Sequence, residues 1–305
     1  MTEESDVFLE GEHILAQNYT PTIPNLISDM NIEILFDQSK LDSINADETA
    51  SKVFIIGMPS DIGVRAFDGR AGAERGPESF REMATLCAMP NNPVSSATAL
   101  LNRVKVYDCG SIYVNQGKAI EHKDMTKEEA GAKLASVIAQ ILSKVERSRV
   151  FVVGGSDELN LHLMHGLSEA RIGEFKVLHL DPSLDVKPTH MRQVDEEEPT
   201  YHETNQSYLR RLFTDEVRLE GLKEMAFVGV QGHRVTQSEV DMVKACAAFK
   251  TSIVYFKRGE MEPTSGTLYS GRQLVSIDFS CVKSHFAPGV GIPSPAMGFT
   301  DVQIC

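Results

Sequence analysis

Residues 150–158 read Val150-Phe151-Val152-Val153-Gly154-Gly155-Ser156-Asp157-Glu158, and an amphipathic run continues from Leu159 to Leu167. An apolar run, a glycine pair and an amphipathic run predict a buried strand, a tight turn and a helix in succession. In an open α/β sheet, chemistry collects at the carboxyl ends of such strands. Two further strand ends carry acid: Asp181-Pro182-Ser183-Leu184-Asp185 after the run 176–180, and Asp278 within 274–280. Each aspartate alone reads as a cap, a role that suits its short side chain. Together, Asp157, Asp181, Asp185 and Asp278 read as one pocket, whose charges repel unless protons or a cation neutralise them. The sequence leaves both readings open.

The alternation continues on either side of this stretch. Residues 53–57 and 104–108 read as buried strands. Thr126 and Glu129 form a capping-box pattern, followed by Ala130, Leu134, Val137, Ile138, Ile141, Leu142 and Val145 on one helical face. That helix feeds directly into the strand at 149–153. Strands at 226–231, 253–256 and 274–277 follow, with helical stretches at 208–213 and 238–248. Helix followed by buried strand, repeated, predicts an α/β fold with a mainly parallel sheet. Residues 1–50 have no clear period and read as an arm, and residues 51–305 as one α/β domain without a low-complexity linker or solenoid repeat. The glycine-dense loop at 69–77 lacks the Lys-Ser/Thr ending of a nucleotide loop. It reads as a structural turn, with Pro77 early in the helix that follows.

A net charge of −13 with no offsetting Lys/Arg cluster argues against a nucleic-acid partner. No apolar run is long enough to cross a bilayer, and the start, MTEESDVFLEGEH, is acidic where a secretory signal would be basic and then apolar. Neither a membrane nor a nucleic acid is expected as a partner. The cysteines Cys87, Cys109, Cys246, Cys281 and Cys305 are odd in number and lack metal-type spacing, which suits free thiols in the cytoplasm.

Two long patterns carry a resemblance. The first is Gly57-Met58-Pro59-Ser60-Asp61-Ile62-Gly63-Val64-Arg65 with Gly69-Arg70-Ala71-Gly72-Ala73-Glu74-Arg75-Gly76-Pro77; the second is Ser276-Ile277-Asp278 with Ala287-Pro288-Gly289-Val290-Gly291. They resemble motifs of the arginase/agmatinase (ureohydrolase) superfamily, and within it the formimidoylglutamase branch. The resemblance implies a three-layer α/β/α fold and assembly as a homo-oligomer, a trimer or hexamer. It also implies hydrolysis of a carbon–nitrogen bond in a guanidino or formimino group of a small amidine or amino-acid-like ligand. Two manganese ions would lower the pKa of a bridging water for that step.

The same resemblance places metal-ligand positions at Asp157, Asp181, Ser183, Asp185, Asp278 and Ser280. Family members carry histidine at the positions of Asp157 and Ser183, and aspartate at that of Ser280. One ion would rest on Asp157, Asp181, Asp185 and Asp278, all still carboxylates. The other would rest on Asp181, Ser183, Asp278 and Ser280, and has lost both ligands it does not share. A binuclear manganese site is therefore not expected; the cofactor is none, or a single divalent cation (Mn²⁺, Mg²⁺ or Ca²⁺) on oxygen ligands. The expected function is that of a catalytically inactive structural or regulatory relative, with a single-metal hydrolase as the alternative. His202 falls roughly where some relatives keep a proton-shuttling histidine, and also reads as a loop-packing residue. His162, His165 and His179 read as satisfied core residues. Relatives continue beyond the Ala-Pro-Gly motif with a substrate-recognition acid, a strand and a helix, so a chain ending at Cys305 is expected to have an incomplete substrate pocket and an exposed sheet edge.

Overall fold

In a computed structural model, residues 27–29, 38–46, 49–67, 69–87, 104–114, 125–188, 190–192, 200–202, 204–256, 273–283 and 299 are described. The strands are β1 (Ile27–Asp29), β2 (Ser51–Met58), β3 (Val104–Ser111), β4 (Ser148–Gly154), β5 (Phe175–Leu180), β6 (His190–Arg192), β7 (Thr200–His202), β8 (Leu222–Val230), β9 (Lys250–Tyr255) and β10 (Leu274–Ile277). The helices are α1 (Gln38–Asn45), α2 (Ile62–Ala66), α3 (Gly76–Cys87), α4 (Lys127–Lys144), α5 (Asn160–Glu169), α6 (Arg210–Phe213) and α7 (Gln237–Lys244). Two compact units contain them: Met1–Ser60 with Glu74–Gly155, and Asp61–Ala73 with Ser156–Cys305.

The first unit holds a four-stranded parallel sheet in the order β1-β3-β2-β4. Phe54, Ile56 and Met58 of β2 are fully buried, as a central parallel strand requires. Helix α4 begins as the sequence indicates. Thr126 Oγ1 accepts from the Glu129 amide at 3.2 Å, and Glu129 Oε2 accepts from the Thr126 amide at 2.8 Å. Ala130, Leu134, Val137, Ile138 and Ile141 are the buried face of that helix.

A buried ion pair ties α3 to β3. Arg81 Nε donates to Asp108 Oδ2 at 2.7 Å and Nη2 donates to Asp108 Oδ1 at 2.8 Å, a bidentate match of guanidinium and carboxylate. The remaining donors go to Ser111 Oγ at 2.9 Å and the Gly110 carbonyl at 2.7 Å. Gly57 makes room for this cluster, because a Cβ there would lie 2.2 Å from Ser111 Oγ and 2.9 Å from Pro77.

The second unit holds its own four-stranded parallel sheet, in the order β10-β5-β8-β9, and a separate antiparallel ribbon of β6 and β7. Strand alternation sorts β5 into two faces. Leu178 and Leu180 join Ala226, Val228, Cys281, Val282 and Phe299 in an apolar cluster on one side. Each large apolar side chain buried in this way contributes about 1.5–3 kcal/mol. The other face of β5 carries His179, aligned with Phe227 of β8, and leads into Asp181. At the edge of this sheet β10 leaves Val275 and Ile277 exposed. No helix among the described residues is long and apolar enough to cross a membrane.

Candidate functional site

The register of β10 on β5 pairs Ile277 with Leu180, so the next residue of each strand, Asp278 and Asp181, arrives side by side. Two hydrogen bonds hold those tips: the Asp278 amide donates to the Leu180 carbonyl at 3.0 Å, and the Asp181 amide donates to the Val228 carbonyl at 3.1 Å. After Asp181 the chain turns back. Asp185 takes φ of 52°, in the left-handed region that aspartate tolerates better than most residues. Its carbonyl accepts from the Leu209 amide at 3.1 Å, and the Gln231 amide donates to Pro182 at 2.9 Å.

Asp157 enters on the 3-10 turn Asp157–Leu159. The loop at 61–73 packs on that turn. The Gly63 amide donates to Glu158 Oε1 at 2.9 Å and the Val64 amide donates to Ser156 Oγ at 3.1 Å. A Cβ on Gly63 would stand 2.0 Å from the Glu158 carboxylate, so the close approach needs glycine. The Gly72 amide donates to Asp61 Oδ2 at 3.0 Å. Within the glycine-dense stretch at 69–77, the Gly72 amide is thus taken by a protein carboxylate.

Two overlapping groups of ligand-type atoms result, each with its atoms within 4.8 Å of one another: Asp157, Asp181 and Asp278, and His179, Asp181 and Asp185. His179 is completely buried. Its Nε2 lies 3.2 Å from Asp185 Oδ2, 3.4 Å from Asp181 Oδ2 and 3.3 Å from the hydroxyl oxygen of the equally buried Tyr208. The two serines bind the same carboxylates. The Ser183 hydroxyl donates to Asp185 and its amide donates to Asp181 Oδ1 at 2.6 Å. The Ser280 hydroxyl donates to Asp278 and its amide donates to Asp278 Oδ1 at 2.7 Å. Asp181 and Asp278 thus each accept from the amide two residues on while lying together with Asp157.

Crowding and lost hydration set the charge states. Loss of water, then the neighbouring Asp278, Asp181, Asp185 and Glu158 charges, pushes Asp157 well above the carboxylate range. Burial and then the Asp181 charge lift Asp278 to about 7 and Asp185 to about 8, against the pull of serine and His179 contacts. Burial works against charge on His179, but hydrogen bonds to Asp181 and Asp185 and their charges prevail, taking it up to about 10. Burial raises Asp181 too, yet its contacts with His179 outweigh this and hold it below the usual range. The cluster is thus organised around an ionised Asp181 beside a protonated imidazole.

His202 lies on β7, its backbone paired with His190 of β6; its side chain is outside the described residues, as are the acidic run at 195–199 and the Ala287–Gly291 motif. His162 and His165 sit together on α5, ring centroids 6.4 Å apart. His179 is a core histidine, but not a satisfied one, since its Nδ1 has no hydrogen-bond partner among the described residues, and the sequence reading missed its place among the acids. One signal could have found it. It stands two residues before Asp181 on a strand, and side chains two apart share a face.

The arginase family profile matches residues 51–304, and the chain belongs to the arginase family. An agmatinase of Photorhabdus laumondii is 25% identical over 241 residues, covering 78% of this chain and 68% of that protein. A formiminoglutamase of Trypanosoma cruzi solved with manganese is similar in fold (TM-score 0.63, 22% identity, 90% of this chain and 83% of that one). So is a formimidoylglutamase of Bacillus subtilis (TM-score 0.61, 15% identity, 92% and 76% coverage). The fold class is accordingly three-layer α/β/α, arginase-like, with parallel sheets.

The donor set does not fit the metal pair that the family resemblance implies. Where the second ion would find its own imidazole and carboxylate, Ser183 and Ser280 offer neutral hydroxyls already donating to Asp185 and Asp278. Hydroxyls are weak ligands beside imidazole and carboxylate for a manganese-type cation. Asp157, Asp181 and Asp278 remain candidate ligands for one hard ion.

Proposed function

We propose that this arginase-family chain is a non-hydrolytic relative of the formimidoylglutamases and agmatinases, serving a structural or regulatory role in the cytoplasm as a homo-oligomer. The observation that carries the reading is the turning of the Ser183 and Ser280 hydroxyls onto Asp185 and Asp278, at the positions the second ion would need. Two-metal hydrolysis depends on two cations sharing the attacking water. Without the second cation, that route to a hydroxide near neutral pH is lost. A small amidine or amino-acid-like molecule remains the ligand class that the family relation suggests. The test is incubation of purified protein and Mn²⁺ with formimidoyl-glutamate, arginine and agmatine. No formamide, urea or ammonia above the protein-free control is expected, and sustained turnover of any of them would overturn the proposal.

A single-metal hydrolase is the second reading, favoured by the grouping of Asp157, Asp181 and Asp278 within 4.8 Å. His202 would then move protons. A cation that binds only the native state must raise its melting temperature. An unmoved transition in excess Mn²⁺, Mg²⁺ and Ca²⁺ removes this alternative.

A further inference from the structure

We draw no further inference here: the strongest candidate, the apolar surface patch of Val275, Ile277 and Phe279 exposed along and just beyond β10 at the edge of the second unit's sheet, carries nothing, because nothing in the structure shows what covers it.

Discussion

At Asp181 and Asp278 the backbone amide two residues on donates into the carboxylate, so each side chain closes its own turn while facing other acids. The charge of this cluster makes stability depend on pH. An unfolded aspartate titrates at about 4, whereas folded Asp278 and Asp185 are raised to about 7 and about 8. Between those limits the folded chain holds protons the unfolded chain has released. Their contribution is complete below about pH 4 and is lost as pH rises through about 7 and 8. His179 has the same sign higher up: its contribution is complete below about 6.5 and is lost as pH rises through about 10. Asp181, held low, runs the other way and loses its contribution only in acid. The metal-free protein should therefore melt at progressively lower temperature from about pH 5 to about pH 9. Asp278→Asn should flatten the lower half of that curve. An unchanged slope in the variant would mean the acids do not press on one another as described.

Secondary elements are joined by contacts of two kinds, and only one kind is visible along the chain. The box at Thr126 and Glu129 is local, and its spacing announces the start of α4. A second box at Thr236 and Glu239 has the same spacing and starts α7, which ends at Lys244, short of the sequence estimate of 248. The clamp of Arg81 on Asp108, the seat of Gly63 on Glu158 and the seat of His179 beside Asp185 are tertiary matters. Strand alternation puts His179 on the face of Asp181, but periodicity says nothing of where the turn returns Asp185. The Arg81 clamp gives the clearest test at this scale. Both partners are largely buried, so Arg81→Ala leaves the Asp108 carboxylate without its counter-ion. A loss of about 3–5 kcal/mol in denaturant unfolding is expected. Arg81→Met together with Asp108→Leu should recover most of it, since replacing both charges removes the stranded one. A loss below about 1 kcal/mol in the single variant would class the pair with surface bridges.

In the whole molecule, the alternation of helices and apolar strands was enough to foresee parallel α/β architecture. The strand ends were enough to foresee Asp157, Asp181 and Asp278 gathering, and the parallel register of β10 on β5 accounts for Asp181 beside Asp278. Two compact units, each with its own four-stranded sheet, could not be read from composition, which changes little along 51–305. The site's chemistry was legible only in part. The serines at 183 and 280 marked missing ligands, but not that their hydroxyls would turn onto Asp185 and Asp278. In this member of the arginase family the strand ends of the second unit carry a network of acids, hydroxyls and one imidazole, in which His179 Nδ1 and Asp181 Oδ2 have no hydrogen-bond partner among the described residues.

Metal stoichiometry tests the non-hydrolytic reading of that network most directly. The wild-type chain should be produced in Mn²⁺-supplemented medium, passed through gel filtration, and measured for manganese by plasma mass spectrometry. Well under one ion per chain is the expected result. About two tightly held ions per chain, the stoichiometry of a two-metal hydrolase, would contradict the account.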